Sequence, residues 1–279
     1  MYKKVQTIMI LLLLLCCTSC GEEFIDNTEN TSVASATINS KEESIIDTTK
    51  APTPPKVIPL PTTTEKPTST PKPTQSINVN VGDYIKFGEY EQDNNMRNGK
   101  EAIEWLVLET RGNSALVISK YILDNKKYNE MRRAVYWYEC AIRKWLNNDF
   151  INSAFSSSEQ AKIEKVTVDN RNNTYYGIGG GKDTQDQVFL LSFSEARKYF
   201  SSEEARKCAP TSYAIEKGVT TSKYHQTKGD PTCMWILRAP IYAQGYVASV
   251  DAEGYVFGNG DYNYFESAVR PAMWITLEG

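Results

Sequence analysis

Residues 258–266, Gly-Asn-Gly-Asp-Tyr-Asn-Tyr-Phe-Glu, hold the side chains of this sequence best suited to gripping a ligand. Tyr262 and Tyr264 each offer a flat apolar face and a hydroxyl at low entropic cost, and Asn259, Asp261 and Asn263 set hydrogen-bonding groups beside them. Sugar rings and protein epitopes suit such a mixture. Arg238 and Arg270 add planar bidentate donors for an anionic group, and Asp251 adds an acceptor. A competing reading applies to both arginines, because a guanidinium within a strand more often neutralises a buried carboxylate or binds loop carbonyls. Tyr262 and Tyr264 divide evenly between binding and loop packing.

Other chemistries find little support. His225 is the single histidine and sits in a polar stretch, so three-His zinc sites, paired-His metalloprotease helices and His relays are excluded. Cys140, Cys208 and Cys233 are widely spaced, unlike zinc ligands. Three disulfide pairings are open to them, with buried free thiols the favoured state. A nucleophilic cysteine needs a base, and only His225 offers an imidazole. Residues 177–184, Gly-Ile-Gly-Gly-Gly-Lys-Asp-Thr, fail as a phosphate loop: Tyr176 stands where the first Gly belongs, and Asp183 replaces the magnesium-holding hydroxyl. Asp93-Asn94-Asn95 and residues 169–173 carry hard oxygen ligands but have the composition of ordinary turns. No catalytic residue, metal or cofactor is expected. With 31 Lys and Arg against 34 Asp and Glu, the net charge of −3 gives no cationic excess for nucleic acid.

The elements that position these groups lie in residues 77–279, which hold all five Trp and all but one each of the nine Phe and 17 Tyr. They read as a single α+β globular domain. Residues 83–87, 103–109 and 115–119 are expected as a three-stranded start. Tyr138, Ala141, Ile142, Trp145 and Leu146 recur at helical spacing. Ser156…Glu159 and Ser192…Glu195 fit capping boxes, the second following a buried strand at 188–191. Strands are expected at 234–238, 246–251, 255–257 and 273–277, with 251–254 as a hairpin turn and with Trp235 and Trp274 in the core.

The N-terminus reads as an address. Lys3 and Lys4 precede an apolar run from Ile8 to Leu15, and Thr18-Ser19-Cys20-Gly21 follows. That run is about half the ~20 residues needed to span a bilayer. Residues 1–19 resemble a bacterial lipoprotein signal peptide with Cys20 as the acylated residue, although Cys17 replaces the usual Leu of the lipobox. Residues 20–76 form an expected disordered tether, since 21–76 contain 12 Thr, eight Pro and six Ser but only Phe24 as an aromatic. Such a tether reaches ~170 Å extended and averages ~40 Å as a coil.

Several ordered motifs resemble a bacterial domain family of unknown function found on extracellular and lipid-anchored proteins of Gram-positive bacteria. They are Arg143-Lys144-Trp145-Leu146-Asn147 followed by Phe150, Ala154 and Phe155; Asp186 to Ser192; Trp235-Ile236-Leu237-Arg238-Ala239-Pro240; Val247 to Gly254; and Val269-Arg270-Pro271-Ala272. Ala239 departs from the family's usual Ser. The late strands are also similar to the C-type-lectin-like fold and its formylglycine-generating-enzyme relatives, which implies a twisted antiparallel sheet with flanking helices and a loop-rich ligand face. The calcium motifs of its lectins, E-P-N or Q-P-D with W-N-D, are absent. The expected function is therefore a binding domain for glycan or protein, held on the outer face of the membrane by lipid on Cys20. The alternatives are an extracellular hydrolase with paired carboxylates and a structural component of the envelope.

Overall fold

Alternating apolar residues build the first sheet. In the computed structural model, which describes residues 79–171, 177, 179–222, 231–240, 245–257 and 262–277, Ile103, Trp105 and Val107 of β2 (Glu101–Arg111) point inward. Strand β2 pairs with β1 (Tyr84–Tyr90) and β3 (Ser114–Ser119), all antiparallel, which gives the expected three-stranded start. The last strand, β12 (Ala272–Thr276), inserts between β3 and the short β7 (Val188–Phe189), so the order is β1-β2-β3-β12-β7. A second sheet has the order β10-β9-β8, from β8 (Trp235–Pro240), β9 (Val247–Val250) and β10 (Val256–Phe257). Two ribbons complete the strands: β4 (Asp124–Lys127) with β11 (Glu266–Val269), and β5 (Val166–Val168) with β6 (Thr184–Asp186). Mixed helices and antiparallel sheets make this an α+β fold.

A bulge sets the turn of β1. The register slips between Lys86 and Glu89, where Gly88 adopts φ 70°, and a Cβ there would lie 2.4 Å from Phe155 Cε1. Its N–H instead donates to Glu159 Oε1 at 3.1 Å. Glu159 closes the capping box of helix Ser157–Gln160 with Ser156, as its spacing predicts, and Ser192 and Glu195 do the same for helix Phe193–Lys198.

The single helix expected from Tyr138 onward is instead segmented. A 3-10 turn at Trp137–Glu139 stops at Cys140, whose extended backbone lets Ile142 N–H donate to Tyr128 O at 3.2 Å. Helix Ala141–Trp145 then passes through a π-helical stretch, Leu146–Phe150, into helix Ile151–Ala154. Asn147, within the π stretch, donates to Val188 O at 2.8 Å and accepts from Gln187 N–H at 2.9 Å. The irregular turn thus trades helix regularity for a clasp on β7.

Residues 1–76, with Cys20, the signal segment and the tether, lie outside the described residues, as do His225, Asn259 and Asp261. Among the described residues no helix is long and apolar enough to cross a membrane.

Candidate functional site: an aromatic cluster before β11

Tyr262, Asn263 and Tyr264 come together on the turn before β11, and Asn263 is its keystone. It is 1% exposed; its N–H donates to Gly245 O at 2.8 Å, its Nδ2 to Arg133 O at 2.7 Å, and its carbonyl accepts from Asn129 N–H at 2.7 Å. Three chain segments are tied there. Its Oδ1 is buried and has no hydrogen-bond partner.

Around this keystone the rings gather. Tyr246 bridges to Tyr262 as an antiparallel pair, with ring centroids 4.3 Å apart. Tyr264 and Phe265 are 4.5 Å apart, and Phe265 meets Tyr262 edge-on at 5.3 Å. The Arg132 guanidinium lies 4.7 Å over Tyr262 and 5.9 Å from Tyr264. Phe265 is 46% exposed, and Met131 and Tyr136 are exposed on the segment that Asn263 ties to this turn. Arg132 and Tyr246 were not among the sequence candidates, and Phe265 lies within the 258–266 segment but carried no role of its own. Arg132 is 130 residues from Tyr262, and no local pattern announces their stacking.

Beside this face runs an open groove of about 660 Å³, lined by β4, by Asn129, Arg133 and Trp145, and by Glu266 of β11. Lys126 Nζ sits 5.2 Å over the Trp145 ring. Four basic side chains and four acidic ones line the groove, so its charges balance. It joins the aromatic face through Asn129, whose N–H meets Asn263, and through Glu266, which follows Phe265.

The remaining candidates lie elsewhere. Arg238 is 2% exposed and makes a two-pronged ion pair with Glu195, while its other N–H groups donate to Leu190 O at 2.8 Å, Asp169 O at 2.9 Å and Asn170 Oδ1 at 3.2 Å. Arg270 is 3% exposed, donates to Ser119 O at 3.0 Å and Arg206 O at 3.3 Å, and lies over the Trp235 and Phe200 rings. Both guanidiniums therefore face the interior, following the competing reading, rather than a ligand-bearing loop. Asp251 shapes its own hairpin, accepting from Glu253 N–H at 3.0 Å and Tyr255 N–H at 2.8 Å. Burial and the neighbouring Glu253 charge push its carboxyl up against those bonds. Trp235 is fully buried, whereas Trp274 is half-buried under the Arg111 guanidinium, 4.1 Å away.

One acidic cluster stands apart. Carboxylate oxygens of Glu91, Asp93 and Glu101 lie within 4.8 Å of one another. Glu101 accepts from Gln92 N–H at 2.7 Å, Glu91 from Asn95 N–H at 2.9 Å, and Asp93 from Asn98 Nδ2 at 2.7 Å. The bond from Asn98, with that from the Asn95 backbone, holds Asp93 below the usual carboxylate range, the opposite of what a general acid needs.

The motifs singled out in the sequence meet one another in space. Arg143 pairs with Asp186, Nε to Oδ1 at 2.7 Å, and Asp186 Oδ2 accepts from Trp137 Nε1 at 2.8 Å and Thr184 Oγ1 at 2.6 Å. Residues 112–277 match DUF6273, described as a domain of unknown function. No curated protein and no solved structure matches the chain.

Proposed function

The chain belongs to the DUF6273 family, and from this premise we propose that it is a cell-surface lipoprotein whose domain binds a glycan through the aromatic face around Tyr262. One observation carries the reading: half-buried Tyr246, Tyr262 and Tyr264 cluster with the exposed Phe265 while the adjoining groove presents balanced charge. Aromatic faces pack against the C–H face of a sugar ring, and neutral hydroxyls gain hydrogen bonds from side chains of both signs without a net ionic requirement. A strongly charged ligand would find as much repulsion as attraction in that groove.

The membrane part rests on the sequence. The Lys-led apolar run and Thr18-Ser19-Cys20-Gly21 support lipidation at Cys20, and acyl chains contribute about 0.8 kcal/mol per buried methylene. The outer leaflet of a Gram-positive-type membrane is the location this implies, with residues 20–76 as the spacer. The C-type-lectin-like resemblance belongs to the same proposal, supported by the antiparallel sheets and the closing strand β12 that carries the Arg270 motif to its start.

The test is an array of glycans, wall fragments and surface proteins probed with residues 21–279. Retention on neutral glycans or wall fragments is expected. Retention by proteins alone would replace the glycan with a protein partner, and background signal throughout would overturn the reading.

A further inference from the structure

We infer that Cys208 and Cys233 are a redox pair that closes to a disulfide, joining the segment after helix Glu203–Arg206 to the segment that leads into β8. Cys233 N–H donates to Cys208 O at 3.0 Å. A direct backbone N–H···O=C bond holds the two Cα atoms within roughly 5–6.5 Å of each other, inside the span of about 4.4–6.8 Å that a disulfide bridges. Both side chains are buried, at 3% and 1% exposure, and both lie in the field of the Arg270 guanidinium. Burial pushes the Cys233 thiol up, and proximity to Cys208 pushes it further. In the structure both are free, with Cys208 Sγ donating to Lys120 O at 3.3 Å.

The third domain cysteine is engaged elsewhere. Cys140 Sγ donates to Trp137 O at 3.2 Å and lies beside Tyr128. Of the three pairings the sequence leaves open, the fold brings one together.

Closure removes one hydrogen from each Sγ and forms the S–S bond. The two electrons and two protons pass to a disulfide oxidant, which is reduced to two thiols. The cross-link ties down the neighbourhood in which Arg206 O accepts from Trp235 Nε1 and Arg270 Nη1, so it braces the junction of two motif strands. This inference stands independently of glycan binding.

The experiment is refolding of the full chain from denaturant in glutathione buffers of increasing oxidised fraction, followed by acid quench, alkylation and peptide mass mapping. Peptides carrying Cys208 and Cys233 are expected to become linked, with Cys140 alkylated. Cys140→Ser retains that link and Cys208→Ser abolishes it. The oxidised form is expected to melt about 5–10 °C above the reduced form, because the cross-link restricts the unfolded chain. Recovery of both peptides as separate alkylated species from folded protein in the most oxidising buffer, or a link to Cys140, overturns the inference. So does an oxidised form that melts below the reduced one.

Discussion

Arg238 and Glu195, 43 residues apart, meet as a two-pronged ion pair in which Nη2 donates to Oε1 at 2.9 Å. The same carboxylate accepts from Ser192 N–H at 2.8 Å, so one side chain both starts a helix and neutralises a buried cation of β8. Strand β8 is thereby locked to the segment following β7, where Arg238 N–H also donates to Leu191 O at 3.0 Å.

Stability should depend on this pair and on pH in a definite sense. Burial pushes the Glu195 carboxyl up, but the Arg238 charge and the bonds from Arg238 and Ser192 outweigh it and hold the carboxyl below its ordinary value. A carboxylate lowered on folding contributes stability that is full above its unfolded value of about 4.3 and is lost as pH falls through the folded value. Glu195→Gln should cost about 2–4 kcal/mol at neutral pH. Urea unfolding across pH should show its deficit against the parent chain constant above about pH 5 and shrinking under acid.

Asp186 should be the most sensitive carboxylate of the middle segment. It is 1% exposed and holds Arg143, Trp137 and Thr184 together. Asp186→Ala leaves the half-buried Arg143 guanidinium without its carboxylate and the buried Trp137 indole N–H unpaired, at an expected cost of about 2–4 kcal/mol. Asn147→Ala, which releases neutral hydrogen bonds to Gln187, Val188 and Arg143 O, should cost about 1–3 kcal/mol in the same assay.

Gly254 should tolerate no side chain. At φ 88°, a Cβ would lie 1.9 Å from Glu203 O, a backbone atom that cannot swing aside. Gly254→Ala is expected to cost more than about 2 kcal/mol. Gly112→Ala, at φ 55° with nothing within 4 Å, isolates the backbone penalty of about 1 kcal/mol. Thermal melts of the two variants compare the terms directly.

Much of the fold was legible because local chemistry and tertiary environment agree. The three opening strands, the two capping boxes and the 251–254 hairpin all read correctly, since each is specified by neighbours in sequence. Strands β4 and β11 were not foreseen. Asp124-Asn125-Lys126-Lys127 has no apolar alternation, and the buried Asp124 carboxylate is held by Asn125 N–H, by Lys126 and, from a distant strand, by Tyr90 Oη, which donates to it at 2.6 Å. The candidate site divides along the same line. Tyr262 and Tyr264 were visible as a cluster, but their partners Arg132 and Tyr246 arrive through the backbone and side-chain bonds of Asn263 to the neighbouring Arg133 and Gly245, which no spacing encodes.

Ionic strength offers a sharp check on the ligand's chemistry. A groove with equal numbers of basic and acidic side chains gives no net attraction for salt to screen. Affinity for a neutral glycan should change less than about twofold between low and physiological salt, whereas an anionic partner steered by Lys126, Lys127 or Lys144 would weaken steeply. Titration calorimetry at two salt concentrations separates the cases.

The most direct measurement is the affinity of a retained glycan for the parent chain and for the Tyr264→Ala/Phe265→Ala double variant, with melting temperature recorded for both. Loss of two stacking rings should weaken binding by at least about tenfold, with melting shifted by no more than a few degrees. Equal affinity in a folded double variant would contradict the assignment of this aromatic face as the ligand site.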